Sequence, residues 1–489
     1  MSRLTTISRE RRGKIEIAVT KPVLTQRDLM CAYMPGVTEP CHLIAENPDR
    51  AYDYTAKQNL VAVVTDGSAV LTLGSIGALA AKPMMEGKSV LLKRFADIDA
   101  FDIELNRQDP EEFIGVVRLL EPTFGGICLE DISSPKCFLI YEELRKQMRI
   151  PVFHDRQHGA ATASAAALLS ALEIQEKRVE DVRLVVAGSG PSGIGCAGLL
   201  LRLGVRAENI VMTDARGVLY QGRHGDMNPY KARFARKTEA RTLADGMEGA
   251  DVLVGCSVGG LVTRKMVASM ADRPIIFALA SPDPEIPYHE ARSVRGDLIM
   301  ATRRSDCPNE ISNALAFPFI LRGALDVRAT TINDEMMLAA ARALADLARE
   351  GLASEVAEVC GEQVMHFGPE SILPKPLDQR ILFRVAPVVA RAAMETGVVR
   401  RQIDPDEYRE GLHRVLSLAQ QIVRVFIQKA QTSPKRIVFP EGDNERYRRA
   451  NRCGWRERAP FGWVREPASI SGLGQDLCCC GLVTRRQFA

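Results

Sequence analysis

The sequence predicts an α/β protein in which a smaller N-terminal α/β unit precedes a doubly wound, nucleotide-binding one. Three observations carry that expectation. Short apolar runs alternate with helical patterns from about residue 60 to about residue 330, the rhythm of parallel sheets with crossover helices. A glycine-rich turn, GSGPSG at Gly188–Gly193, follows the apolar run Leu184–Ala187, and Asp214 closes the next run 21 residues after Gly193. Between Phe124 and Gly159, two successive runs end on carboxylates, Glu130–Asp131 and Asp155, at strand ends where α/β sheets gather ligands.

Length and composition bound the problem. A chain of 489 residues exceeds one ordinary core, so two or three domains are expected. Its 46% apolar and 26% charged residues are those of a soluble globular protein. No apolar run reaches the length that crosses a bilayer, and the basic N-terminus has no apolar core of a secretory signal. The expectation is a cytoplasmic enzyme without a membrane partner. Residues 433–489 hold 11 Lys/Arg against 6 Asp/Glu, which leaves 53 basic and 55 acidic residues in 1–432. That near-neutral body shows no nucleic-acid surface. The cysteines from Cys31 to Cys307 have no CxxC spacing and read as buried thiols.

In chain order, KIEIAV reads as a short strand, and TQRDLMCAYM as a helix stopping at Pro35–Gly36. Tyr33 lies in its last turn, where spacing favours a tyrosine packed on the core. NLVAVVTDG, AVLTLGS and SVLLKRF read as strands, and GSIGALAAKPMMEGK as a helix ending at Lys88. A lysine beside an apolar, glycine-lined turn can be desolvated and lowered in pKa, although most such lysines are simply solvated. DPEEFIGVVRLL carries a stripe at Phe113, Val116, Val117 and Leu120, opened by Asp109 as cap and Pro110 as first residue.

GGICLEDI is a strand ending on two adjacent carboxylates. Strand side chains alternate, so Glu130 and Asp131 face one ion only if the strand breaks there, which Ser133–Ser134–Pro135 permits. With Asp155 after IPVFH, they form an oxygen set suited to Mg²⁺ or Mn²⁺. The alternative is that Glu130 and Asp131 cap the next helix. His154 and His158 lack the setting of a zinc pair. Arg156 spoils the pattern, a cation where a metal site wants an anion.

GAATASAAALLSALEI follows as a small-residue, closely packed helix. In the glycine turn, Gly188, Gly190 and Gly193, with Pro191 and Ser192 opening a helix, free backbone N–H groups for a pyrophosphate. Strand, fingerprint, helix, strand and acid at this spacing define a Rossmann-like dinucleotide site. Asp214 accepting from a ribose 2′-OH favours NAD, and Arg216 facing a 2′-phosphate favours NADP; both stay open. Further on, Ser281 and Asn313 fall where they would line the nicotinamide side. Two long helices follow, the second with a stripe at Ile381, Leu382, Val385, Val388, Val389 and Ala392. After Pro434, KRIVFPEGDNER reads as a strand and turn. From about Tyr447 the chain carries both tryptophans and Cys478–Cys479–Cys480 with no periodicity of either kind, as expected of a shifted reading frame.

TKPVLTQRDLMCAYMPGV, YTAKQNLVAVVTDGSAVLTLG, KPMMEGKSVLLKRFADIDAFDIEL, EPTFGGICLEDI, PVFHDRQHG and CPNEISNALAFPFILRGALD resemble the bacterial malic enzymes over residues 14–432. The likeness is to the larger hybrid type, in which a phosphate-acetyltransferase-like domain follows, and KRIVFPEGDNER is similar to the first strand of that domain. The resemblance implies oxidative decarboxylation of L-malate to pyruvate and CO₂ with NAD or NADP, a divalent Mg²⁺ or Mn²⁺, and a homo-oligomer. It implies Lys88 as the base for the C2 hydroxyl, Tyr33 as the acid for C3, and Glu130 and Asp131 as metal ligands. The family's FxDD segment is Phe153-His154-Asp155-Arg156 here, so its last metal ligand is an arginine. The glycine–threonine pair after it is Gly159–Ala160, the asparagine before Pro282 is Ser281, and a later asparagine pair is Ser312–Asn313. The domains expected are 14–160 for substrate and metal, 161–400 for the dinucleotide, 401–432 as a connecting helix, and 433–489 as a domain remnant. Competing readings are a catalytically impaired paralogue kept for nucleotide binding or assembly, and a metal-free 2-hydroxy-acid dehydrogenase, which leaves Glu130–Asp131 unexplained.

Overall fold

The computed structural model describes residues 13–21, 23–106, 109–351 and 366–413; the expectations for the tail and for most of 401–432 lie outside them. Helices Gln26–Ala32 (α1) and Thr38–Glu46 (α2) come first. Then β1 (Leu60–Thr65), α3 (Ala78–Ala96), β2 (Asp99–Glu104), α4 (Pro110–Leu119), β3 (Gly126–Leu129), α5 (Lys136–Gln147) and β4 (Val152–His154) build a four-stranded parallel sheet of order β2-β1-β3-β4. All six residues of β1 are buried, as a parallel strand covered on both faces requires.

Helix α6 (Asp155–Ile174) leaves β4 without a loop and runs across residue 160, the expected domain junction. Beyond it, β5 (Leu184–Ala187), α7 (Pro191–Leu203), β6 (Ile210–Asp214), β7 (Gly217–Val218), β8 (Val252–Gly255), β9 (Ile275–Ala278) and β10 (Ile299–Thr302) form a six-stranded sheet of order β10-β9-β8-β5-β6-β7. Only β7 is antiparallel. The chain runs from β5 to β6 on one side and returns through β8 to the other, so the switch point lies between β5 and β8, where a doubly wound fold binds its ligand. Helices α8 (Phe317–Asp326), α9 (Asp334–Arg349) and α10 (Arg380–Glu395) close the structure. In α10 the expected stripe is buried, except for Val388 at its margin.

Several expectations fail locally. KIEIAV is no strand: Ile17 is 83% exposed, and the segment joins no sheet among the described residues. Helix α1 buries no residue, and Tyr33 is its C-cap, 69% exposed rather than packed on the core. AVLTLGS is a turn held by a lone bridge between Val70 and Gly74. SVLLKRF is the second half of α3, whose buried residues Ala81, Met85, Ser89, Leu92 and Ala96 recur every three or four positions. That is the helical period, which a short apolar run conceals. In α4 the buried residues are Phe113, Ile114 and Val117, and Val116 is exposed.

Candidate active site

The register of the first sheet places Leu129 beside His154, so Glu130 and Asp155 leave two adjacent strand ends together. Asp131 has φ 52°. This left-handed residue ends the strand and turns the second carboxylate to the same cavity as the first, which side-chain alternation alone forbids. Neither residue caps α5, whose N-cap is Pro135 and carries no side-chain bond. Asp155 is the first residue of α6. Gly159, one turn on, makes room for it, because a Cβ there would lie 2.4 Å from Asp155 Oδ1.

These groups line a cavity of about 220 Å³ with Lys88, Arg156, Ser281, Arg303, Asn313 and Phe317. The Lys88 ammonium donates to Asp155 Oδ2 at 2.5 Å, lies 3.3 Å from Glu130 Oε1 and sits 4.9 Å from the centre of the Phe317 ring. Burial acts to lower the Lys88 pKa, but the Asp155 and Glu130 carboxylates outweigh it and hold the group above the ordinary lysine range. The lowered pKa read from the sequence is therefore corrected: Lys88 lies inside a helix facing two anions, not at a dry turn. Burial pushes Glu130 up to about 8 against the pull of Lys88. Burial would raise Asp155 too, yet Lys88 and the Asn313 amide, 2.7 Å away, hold it below the usual carboxylate value. His154 and His158 are buried and neutral, pushed down to about 4 and about 3 by burial. They bond backbone N–H groups of Gln157 and His154 and face no metal site.

Arg156 Nε donates to Asp131 Oδ1 at 2.9 Å and Nη2 to the Ala69 carbonyl at 2.8 Å. The site thus fails as the metal centre the sequence suggested. Asp131 is matched by Arg156, and Asp155 by Lys88. Among the described residues no group of three His, Cys, Asp or Glu side chains can hold an ion. One feature runs the other way: Asp155 Oδ1 is buried without a hydrogen-bond partner.

A second cavity, about 300 Å³, shares Leu71, Arg156, Ser281 and Arg303 with the first and reaches Ser192, Cys256 and Ser257. Each fingerprint glycine there has its own reason. Gly188 has φ 112°, and a Cβ would sit 2.5 Å from the Cys256 carbonyl oxygen. Gly193 lies so close to β5 that a Cβ would be 1.9 Å from Gly188 O, whereas Gly190 has nothing within 4 Å and leaves the face open. Pro191 is the first residue of α7, whose free N–H groups face that opening. Asp214 ends β6, gripped by Arg223 at 2.7 and 2.8 Å and by Lys231 at 3.0 Å.

The structure thus brings together Lys88, Glu130, Asp131, Asp155, Arg156, Ser281 and Asn313, with Ser192 of the fingerprint close by. Tyr33 is not among the residues lining either cavity. Sequence reasoning missed Arg303, the residue immediately after β10, and Phe317. A larger cavity of about 1090 Å³, lined by Tyr52, Lys57, Arg149 and Arg400 among others, holds none of these groups.

A parallel sheet joined to a doubly wound sheet that carries a dinucleotide fingerprint, with a lysine–carboxylate cluster beside it, is the arrangement of a two-domain dinucleotide-binding protein. Family models for the malic enzyme N-terminal domain and the malic enzyme NAD binding domain match residues 12–145 and 157–358. The chain belongs to the malic enzyme family. It is 52% identical over 436 residues to the NADP-dependent malic enzyme of Escherichia coli (strain K12), covering 89% of this chain and 57% of that one. It is also 52% identical to the NADP-dependent malic enzyme of Halomonas elongata, covering 80% of this chain and 92% of the relative. The crystal structure of malic enzyme from Pyrococcus horikoshii Ot3 superposes with a TM-score of 0.77 at 39% identity, covering 85% of this chain and 95% of that one. The chain spans just over half the length of relatives such as the Escherichia coli protein.

Proposed function

We propose that this protein oxidises and decarboxylates L-malate to pyruvate and CO₂ with reduction of NADP. The observation that carries the reading is the Lys88–Glu130–Asp155 cluster in a cavity whose wall, Arg156, Ser281 and Arg303, is shared with the dinucleotide turn. A 2-hydroxy acid seated there has its C2 hydroxyl within reach of Lys88. Lys88 would accept that proton, a bound NADP supplying the hydride acceptor for C2, and it must first hand its own proton on. Glu130, 3.3 Å away, is the neighbouring carboxylate placed to take it. The re-formed ammonium then lies beside the C2 oxygen as the C3–C4 bond breaks, and the enol left behind takes a proton at C3.

The resemblance gives that last proton to Tyr33, which stands exposed on an arm with exposed Leu24, Leu29, Met30 and Met34. An apolar arm that buries nothing on its own chain fits a homo-oligomer in which it covers a second copy, with Tyr33 serving the neighbouring site. Asp214 is engaged by two cations, and Arg216 stands beside it. This pocket offers a phosphate more than it offers a bare ribose hydroxyl, which supports NADP over NAD. KRIVFPEGDNER and the greater length of several relatives support descent from the hybrid type. The impaired-paralogue alternative rests on Arg156, Ser281 and the tail, and against it stands the convergence of Lys88, Glu130, Asp131, Asp155 and Asn313 on one cavity.

The test is coupled measurement of NADPH and pyruvate from L-malate. Equal amounts of both products are expected; NADPH with oxaloacetate but no pyruvate would leave only a dehydrogenase, and neither product would sink the reading.

A further inference from the structure

The place where the family's last metal ligand belongs is occupied by a positive charge with capacity to spare. A guanidinium carries five N–H donors in a fixed fork. In Arg156, Nε and Nη2 are committed to Asp131 and the Ala69 carbonyl, while Nη1 has no partner among the described residues. The side chain is 24% exposed and lines both cavities. Arg303 lines the same two cavities, and its Nε is buried with no acceptor. A buried unpaired donor is costly, and a bound anion would relieve it.

Even with every group ionised the charges of the smaller cavity only cancel, Glu130, Asp131 and Asp155 against Lys88, Arg156 and Arg303. Such a site offers a divalent cation no electrostatic well, and the cation would meet Arg156 at the position of a ligand. It suits instead an anion with two separated carboxylates, one for each guanidinium, since planar forks and carboxylates match bidentately.

We infer that Arg156, seconded by Arg303, is the built-in cation of this site, so that the chain binds the carboxylates of a C4 2-hydroxy dicarboxylate without a metal ion. The inference rests on the malate reading above, and its test separates the two.

L-Malate is titrated calorimetrically into the full-length protein loaded with NADPH, a complex that cannot turn over, once in EDTA and once in excess MnCl₂. Mn²⁺ binding is followed in parallel by loss of the free-ion EPR signal. The expected result is the same malate affinity in both, within about twofold, and no stoichiometric loss of Mn²⁺ signal. Arg156→Gln should weaken malate in EDTA about tenfold or more. Arg156→Asp should reverse the requirement, binding Mn²⁺ and taking malate only in its presence. Thermal melts establish that both variants are folded. If either is not, Arg303→Gln provides the same metal-free affinity readout.

Malate binding to the unaltered chain only with Mn²⁺, stoichiometric Mn²⁺ binding by that chain, or unchanged affinity in folded Arg156→Gln would each overturn the inference. So would no malate binding in any condition. In that case Mn²⁺-dependent turnover of malate by Arg156→Asp would preserve the malate reading, and its failure would remove that reading as well.

Discussion

Lys88 and Asp155 are 67 positions apart in sequence and 2.5 Å apart in space. Nothing local in GKSVL announces that contact, and helical period alone made Lys88 one solvated lysine among many. Its proton is held by two carboxylates, so turnover depends on passing it on. Lys88→Met should cut kcat by about 10² to 10⁴ while leaving NADP affinity within about twofold, measured by fluorescence titration. Residue identity also governs acid stability. His154 and His158, at about 4 and about 3 when folded, lie below the ordinary value of 6.5. Between those values the unfolded chain binds more protons than the folded one, so stability is full above about pH 6.5 and falls as pH drops towards 4. A series of thermal midpoints should decline over that window, and His158→Gln should flatten the slope. Arg303 was not legible at all: it adjoins Arg304, which pairs with Asp306, and sequence cannot tell a site-facing arginine from a paired surface one.

At the scale of elements, the glycine turn was legible because each glycine answers a local steric demand that spacing reveals. Gly193→Ala should cost more than about 2 kcal/mol in unfolding free energy and abolish dinucleotide binding, because the new Cβ meets backbone at 1.9 Å. Gly190→Ala, with open space around it, should leave stability within about 0.5 kcal/mol and weaken only the dinucleotide, as chemical denaturation and titration can separate. The second half of α3 was not legible as helix. SVLLKRF has the apolar density of a strand, and only the burial of Ser89, Leu92 and Ala96 along one face reveals its period. The acid pair was legible in composition but not in geometry. The left-handed backbone at Asp131 that turns both carboxylates inward leaves no mark in a residue type tolerant of either conformation.

Across the whole molecule the two sheets share their contents. Helix α8, which follows the dinucleotide sheet, packs on α3 of the first and places Phe317 over Lys88. Phe317→Ala should therefore cost about 3–5 kcal/mol and lower activity, although the residue belongs to the half that binds the dinucleotide. The exposed arm makes a prediction about assembly. If Tyr33 serves a neighbouring copy, Tyr33→Phe and Lys88→Met are each inactive alone but complement when refolded together. The expected recovery is about a quarter of the unaltered activity in a dimer; no recovery would confine both residues to one chain. The doubly wound half was readable because its rhythm repeats. The arm was not, since a sequence does not say which molecule its apolar residues will cover.

Helix α6 ties these scales together. Nearly all of it is buried, and it crosses α7 so closely that a Cβ at Gly195 would lie 2.5 Å from the Gln157 carbonyl oxygen. A support wedged this firmly does not slide or turn to accommodate a new residue at its tip. The sign of the charge offered to a ligand is therefore inherited through one side chain, on a scaffold indifferent to the choice. On the inference that Arg156 stands in for the ion, a single replacement at position 156 exchanges a dependence on an environmental ion for an encoded one.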